Sequence, residues 1–314
     1  MKLSDIKKIG VAGGGTMGFG IGTNFALWGY PVVIYDLNDR ILAKTRQRIE
    51  KALKIFLDEG MISEKKAGET SRRIRLTDDI NRLGETDFIT EAIVERLSDK
   101  QEIFNKLDKL CPPQTIIVSN TSSLVLSDIV RDVKRQDKVA LTHYFDPPHI
   151  VPGVEVAKGP GTSDETFNIT YDLMAKVKKV PVKVLREQSG YLLNSIQYAM
   201  AAEAQKLWAE GFASAEDIER GITATFGFRS PHEGPMMHND LAGIWKWPRD
   251  VLGKRAERIL SAKGLSEAAK AKLVAQLISG KPWFVDPEHF EEAVEARDRE
   301  YARRLKDLYW GRIE

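Results

Sequence analysis

The sequence predicts an α/β chain with an all-helical second part, and three observations carry that expectation. A glycine-rich turn, Gly13-Gly14-Gly15-Thr16-Met17-Gly18, lies between an apolar β-competent run and a helix-like run from Phe19 to Trp28. Strand-like and helix-like stretches then alternate through residue 120, as they do in a parallel sheet covered by helices on both faces. Beyond the stretch from Arg186 to Gly190 the pattern is helical, broken only by loops.

The glycines come first. Gly13, Gly15 and Gly18 stand at G-x-G-x-x-G spacing, in which the first glycine makes the tight turn, the second lets the backbone approach a pyrophosphate and the third allows close helix–strand packing. The phosphates then rest on free N–H groups at the helix N-terminus, so Thr16 and Met17 join the glycines as expected cofactor contacts. The next strand, Pro31 to Tyr35, ends in Asp36, an acid placed to accept hydrogen bonds from the ribose hydroxyls of a dinucleotide. The expectation is a Rossmann dinucleotide-binding domain over 1–187 and a helical substrate and dimerisation domain over 188–314.

Composition narrows the class. A chain of 314 residues has room for about two domains, each with a core. Its formal net charge of +2 gives no electrostatic argument for nucleic acid or a membrane surface. Cys111 is the single cysteine, which excludes an internal disulfide and suggests a reducing compartment. The first strand begins within a few residues of Met1, leaving no room for a signal or transit peptide. No apolar run approaches the ~20 residues needed to cross a bilayer. A cytoplasmic protein is expected.

Further along, Leu42 to Leu57 carries a helical apolar stripe that Gly60 is placed to end. The segment Ser63 to Arg75 is cationic, with Lys65, Lys66, Arg72, Arg73 and Arg75. It is either a solvated face or a grip on a phosphorylated part of the substrate. Strands are expected at 74–76, 87–93, 115–119, 139–141, 154–156 and 180–184, with helices at 79–83, 97–110 and 164–177. Tyr191 to Trp208 is apolar nearly all round, which predicts a helix buried on several sides and a domain that gains burial by pairing with a second copy. Pro287 to Tyr309 reads as a charge-laced amphipathic helix.

Ligands of such sheets lie beyond the carboxyl ends of the strands, which singles out Glu91 to Glu95, Ser119 to Ser123, and Thr142 onward. Oxidation of an alcohol by a nicotinamide cofactor requires a base for the hydroxyl proton, and His143 has the right ordinary pKa for it; from periodicity alone a lone histidine at a strand end is more often structural. Glu155, twelve residues on, could fold back to fix the imidazole tautomer. His232, Glu233, His238 and Asp240 cluster without a defined metal-ligand spacing. No metal is expected there; a polar substrate pocket or an interface is.

Asn120-Thr121-Ser122-Ser123-Leu124, His143-Tyr144-Phe145-Asp146-Pro147, Val154-Glu155-Val156 and Gly190-Tyr191-Leu192-Leu193-Asn194 together resemble the L-3-hydroxyacyl-CoA dehydrogenase family. Glu91-Ala92-Ile93-Val94-Glu95 with Lys100 is similar to a further family segment. The resemblance implies NAD as cofactor, with Glu95, Lys100 and Asn120 lining it and Asp36 disfavouring NADP. It implies His143 as base, Glu155 as its partner, and Ser122 and Asn194 as hydrogen-bond donors to the substrate oxygens. Asp146 stands where the family usually has asparagine, Ser195 where it has arginine, and Ser189 where it has proline. Pro147 to Pro152 and Gly227 to Pro235 are closer to the branch of λ-crystallin-type gulonate dehydrogenases and carnitine dehydrogenases. In that branch Arg229 is implied to hold a substrate carboxylate; the plainer alternative pairs it with Glu233 or another acid. Thioester and free-acid substrates both remain open, as does a non-catalytic NAD-binding protein of the same fold.

Overall fold

The computed structural model describes residues 1–262 and 264–310, in two compact units, Met1–Ala201 and Ala202–Glu314. The first unit is built on eight strands: β1 (Ile9–Ala12), β2 (Val32–Tyr35), β3 (Ile74–Thr77), β4 (Phe88–Glu91), β5 (Ile116–Ser119), β6 (Val139–Tyr144), β7 (Gly153–Ala157) and β8 (Val180–Val184). Their order across the sheet is β3-β2-β1-β4-β5-β6-β7-β8. The first six are parallel, in the Rossmann order. β7 then runs antiparallel to β6, and β8 parallel to β7.

Six helices accompany these strands: α1 (Thr16–Leu27), α2 (Asp39–Asp58), α3 (Glu64–Arg72), α4 (Leu97–Leu110), α5 (Leu126–Ile129) and α6 (Asp164–Lys176). Strand residues alternate between two cores. Ile9, Val11, Ile116 and Val118 pack with Ile21 and Phe25 of α1, Ile49 of α2 and Leu173 of α6. Ile89, Ile117 and Leu141 pack with Phe104 and Leu107 of α4 and Ile129 of α5. Because both faces are covered, β1, β4, β5 and β6 are buried along their whole length.

Local chemistry sets the boundaries. The side chains of Asn38, Ser63 and Ser163 cap α2, α3 and α6 by accepting from Arg40, Lys66 and Thr166 N–H. Gly60, at φ +67°, ends α2: its N–H and that of Met61 return to the carbonyls of Leu57 and Phe56.

Several expectations shift. α2 begins at Asp39, earlier than the apolar stripe, because its first turn is polar and held by the Asn38 cap. The cationic segment forms α3, burying only Ala67 and Thr70. The short helix at 79–83 is a 3-10 turn over Ile80–Glu85. β6 runs to Tyr144 rather than stopping at Leu141, so His143 lies within the strand.

α7 (Leu193–Ala209) spans the division between the units and departs from expectation most. Only Asn194 on it is buried, and Ile196, Tyr198, Met200 and Trp208 are exposed. Among the described residues no layer covers these apolar side chains. The second unit continues with α8 (Ala215–Ile222), a π-helical turn (Thr223–Gly227), α9 (Pro235–Leu241), α10 (Arg249–Ser261), α11 (Glu267–Ile278) and α12 (Phe290–Leu305). Buried Asp240 accepts from the N–H groups of Trp283, Phe284 and Val285 and so ties that loop to α9. Among the described residues, no helix is long and apolar enough to cross a membrane.

Candidate active site

The glycine turn has the shape its spacing predicts. Gly13 has φ +105°, and a Cβ there would lie 2.5 Å from the Ala92 carbonyl oxygen. A Cβ on Gly18 would lie 1.8 Å from the Gly13 carbonyl oxygen, so α1 packs against the turn more closely than any side chain allows. Around Gly15 nothing lies within 4 Å of that position. The open cradle belongs to a helix with no side-chain cap, so the N–H groups of Thr16 and Met17 are available to a phosphate. These features fit a dinucleotide. Thr45 anchors the turn by donating to the Gly14 carbonyl at 2.6 Å. Asp36 accepts from the N–H of Gly14 at 2.9 Å and of Asn38 at 3.1 Å. It lines a cavity of about 470 Å³ with Gly13, Gly15, Leu37 and Val94.

Across the antiparallel junction, His143 on β6 faces Glu155 on β7 as a register pair. Their side chains meet at 2.7 Å, Nδ1 to Oε2, with His143 2% exposed and Glu155 fully buried. The other carboxylate oxygen accepts from the N–H groups of Leu192 and Leu193 at the start of α7, at 2.9 and 2.7 Å. Each Glu155 oxygen is therefore satisfied, which a buried carboxylate requires. With Nδ1–H committed to the carboxylate, Nε2 is the ring nitrogen left to act as a base. Phe145 packs on the imidazole with centroids 4.6 Å apart.

The loop after β5 is fixed from below. Buried Lys100 contacts Glu91 at 2.6 Å and Glu95 at 3.3 Å. Glu91 also accepts from the Ser119 hydroxyl at 2.6 Å and the Ile93 N–H at 2.9 Å. Glu95 accepts from the hydroxyls of Thr121 and Ser123 and from the N–H groups of Ser122 and Ser123. Burial alone would raise the Glu95 carboxyl; the Thr121 hydroxyl, the Lys100 ammonium and the Ser123 donors outweigh it and bring the pKa to about 2. Asn120 Oδ1 accepts from the Tyr144 N–H at 2.9 Å and joins the ends of β5 and β6. Ser122 is half-buried, and Asn194 is buried in the first turn of α7.

Residues to which the sequence reading gave no structural task hold this arrangement together. The Tyr191 hydroxyl donates to the Leu124 carbonyl at 2.8 Å, and Ser189 donates to the Ser123 carbonyl at 2.9 Å. Ser189 is thus more than a missing proline: it ties the linker to the Ser122 loop. Ser195 donates back to the Tyr191 carbonyl at 2.6 Å. Asp146 is exposed.

Of the cations between 63 and 75, Arg73 pairs with Glu69 at 3.3 Å, while Lys65, Arg72 and Arg75 are exposed. Lys66 lines a second cavity, of about 540 Å³, with Trp28, Phe56, His149, Lys178 and Lys179. In the second unit the cluster around 232–240 separates. Glu233 pairs with His238, Asp240 faces the 283–285 loop, and the His232 ring lies 6.1 Å from that of Tyr301. Arg229 contacts His238 rather than Glu233, Nη1 to Nε2 at 3.0 Å.

Residues 8–188 match the NAD binding domain of 3-hydroxyacyl-CoA dehydrogenase. The chain is 35% identical over 245 residues to the mitochondrial hydroxyacyl-coenzyme A dehydrogenase of Homo sapiens, covering 76% of this chain and 77% of that one. It is 35% identical over 237 residues to 3-hydroxybutyryl-CoA dehydrogenase of Clostridioides difficile, covering 76% and 83% respectively. A crystal structure of 5-formyl-3-hydroxy-2-methylpyridine 4-carboxylic acid 5-dehydrogenase, an NAD+-dependent dismutase, superposes with a TM-score of 0.72 at 25% identity, over 96% of this chain and 98% of that one. With a Rossmann sheet, a matching NAD-binding domain and relatives of this similarity, the chain belongs to the 3-hydroxyacyl-CoA dehydrogenase family of NAD-dependent oxidoreductases.

Proposed function

We infer that this protein oxidises the 3-hydroxyl of a 3-hydroxyacyl substrate to the ketone. The observation that carries the reading is the buried 2.7 Å contact between His143 and Glu155. Glu155 holds the imidazole with its proton on Nδ1, so Nε2 takes the hydroxyl proton, and the carboxylate stabilises the imidazolium that forms. NAD bound at the Gly13–Gly18 turn supplies the acceptor for the hydride that leaves C3. Ser122 and Asn194 donate hydrogen bonds to the substrate oxygens and hold C3 in reacting geometry. Asp36 disfavours a 2′-phosphate and so selects NAD over NADP. Glu95, Lys100 and Asn120 serve the cofactor side by fixing the loop that carries Ser122.

On this reading residues 1–187 bind NAD and 188–314 serve substrate binding and dimerisation. The exposed apolar side chains of α7 support a homodimer, and sedimentation of the purified protein as a monomer would count against it. The single, buried Cys111 supports a cytoplasmic setting.

Two substrate classes compete at the acyl end. The names of the human and Clostridioides difficile relatives support a CoA thioester, and the lysines of the cavity beside Trp28 suit phosphate groups. A free 3-hydroxy acid is favoured by Arg229, which is not paired with Glu233. The dismutase of similar fold carries a free carboxylic acid in the name of its substrate. NADH formation with 3-hydroxybutyryl-CoA and with a panel of free 3-hydroxy acids separates the two classes. Activity on neither, with NAD bound, would leave the fold without the catalysis.

A further inference from the structure

Within the first unit, Tyr191 is fully buried and its backbone lies at φ +48°. A residue with a side chain rarely adopts that left-handed conformation, because its Cβ crowds the following carbonyl. Gly190, just before it, takes φ +78° without that penalty. Three hydrogen bonds hold the Tyr191 backbone in place. Its N–H donates to the Gln188 carbonyl at 3.1 Å, and its own carbonyl accepts from Ser195 Oγ and Gln188 Nε2, both at 2.6 Å. A strained residue so thoroughly fixed is a pointer to function.

The turn serves both halves of the chemistry. The two amides that follow it, those of Leu192 and Leu193, donate to Glu155 Oε1. The Tyr191 ring lies 6.0 Å from the His143 imidazole, centroid to centroid. Its hydroxyl donates to the carbonyl of Leu124, two residues past Ser122, at 2.8 Å. Burial pushes the Tyr191 phenol up, so the hydroxyl keeps its proton and remains a donor. Two further bonds join the same linker to the same loop: Glu187 accepts from the Ser127 N–H at 3.0 Å, and Ser189 donates to the Ser123 carbonyl at 2.9 Å. Proline, usual in the family at the Ser189 position, could not make the second. Ser189 is exposed and Tyr191 is buried, so the tyrosine bond is the one that water cannot replace.

We propose that Tyr191 is a positioning residue for the oxidation, whose hydroxyl ties the Ser122 loop to the His143–Glu155 pair. The inference rests on the reaction proposed above. Ser122 and His143 Nε2 must meet one substrate hydroxyl, and they stand on different strands' ends; a small error in their separation slows the step they share. Glu95 holds the loop through the amides of Ser122 and Ser123. Removing the tyrosine hydroxyl therefore frees the loop relative to the imidazole without detaching it from the fold.

The test compares wild type, Tyr191→Phe and Ser189→Ala by two readouts. The first is amide hydrogen exchange over residues 120–126 in the ligand-free protein, with α4 as the internal reference. Tyr191→Phe is expected to speed exchange of that loop by about tenfold relative to α4. The second is single-turnover NADH formation with enzyme in excess, on whichever of 3-hydroxybutyryl-CoA and 3-hydroxybutyrate the wild type oxidises. Its rate constant does not depend on the fraction of working molecules, so a merely structural loss leaves it unmoved. In Tyr191→Phe that constant is expected to fall by about tenfold, with the affinity for NADH unchanged. Ser189→Ala should lose less, within about threefold on both readouts. Unchanged exchange in Tyr191→Phe overturns the tie. Faster exchange with a wild-type rate constant leaves the tie and overturns the positioning role. A loss in Ser189→Ala as large as that in Tyr191→Phe also overturns it. A wild type that oxidises neither substrate refutes the reaction itself, and the positioning role with it, while the exchange still reports whether the loop is tied.

Discussion

His143 and Glu155 face each other across the one junction where the sheet turns antiparallel, and the carboxylate that holds the imidazole also holds the first amides of α7. On the proposed mechanism one side chain therefore serves a proton transfer and a helix start. His143→Gln is expected to lower kcat by about 10²- to 10⁴-fold with NAD affinity unchanged. Glu155→Gln places an amide where both oxygens now accept. It should cost activity and, in addition, about 2–4 kcal/mol of stability through the buried network it disturbs. Steady-state kinetics and urea unfolding of both variants check this: a Glu155→Gln enzyme with wild-type stability would contradict the dual role.

Two glycines three residues apart, Gly15 and Gly18, should respond in opposite ways. Gly15 looks onto open space, so Gly15→Val is expected to weaken NAD by about tenfold or more while leaving Tm in place. Gly18 has the Gly13 carbonyl where its Cβ would be, so Gly18→Ala should cost about 1–3 kcal/mol of folding stability. Differential scanning calorimetry with an NAD titration reads both effects.

The acid limb of stability should carry the signature of Glu95. Its folded pKa, about 2, lies below the ordinary value of 4.5. The stabilisation it provides is complete above pH 4.5 and is lost as the pH falls toward 2. The unfolding free energies of wild type and Glu95→Gln should therefore converge across that window. A constant difference between them would show that Glu95 is not the group responsible.

Lys179 predicts a trend of opposite origin on the alkaline side. Its ammonium is buried against the carbonyls of Pro148 and Val151, at 2.5 and 2.7 Å. Burial pushes its pKa down from 10.5 to about 8. Between those values the unfolded chain binds the extra proton, so stability rises with pH from 8 to 10.5. Relative to Lys179→Met, the wild type should gain in chemical unfolding over that interval; a flat difference would refute the assignment.

The parts of this fold that sequence makes legible are those governed by local periodicity. β8 and α4 fall at their expected residues because an apolar run or stripe ends where the chain turns polar. The extension of β6 through Thr142, His143 and Tyr144 is hidden, because these residues look like a polar strand end. Their burial depends on β7 lying alongside and on partners supplied by Asn120 and Glu155. α3 is masked by its charge, with only Ala67 and Thr70 facing inward. The apolar pattern of α7 signals a need for cover but not its source, and among the described residues that cover is missing. At the site, the glycine turn and the His143–Glu155 pair are readable from motifs. The support that Glu91 and Lys100 give the Ser122 loop is not, since it exists only once β4, α4 and β5 are side by side.

The antiparallel turn of the sheet at β6 and β7 has a wider consequence. Base and carboxylate of the proposed mechanism are carried on a single hairpin, twelve residues apart, so one local connection of the chain is enough to bring them together. A change of sequence elsewhere in the chain need not part them.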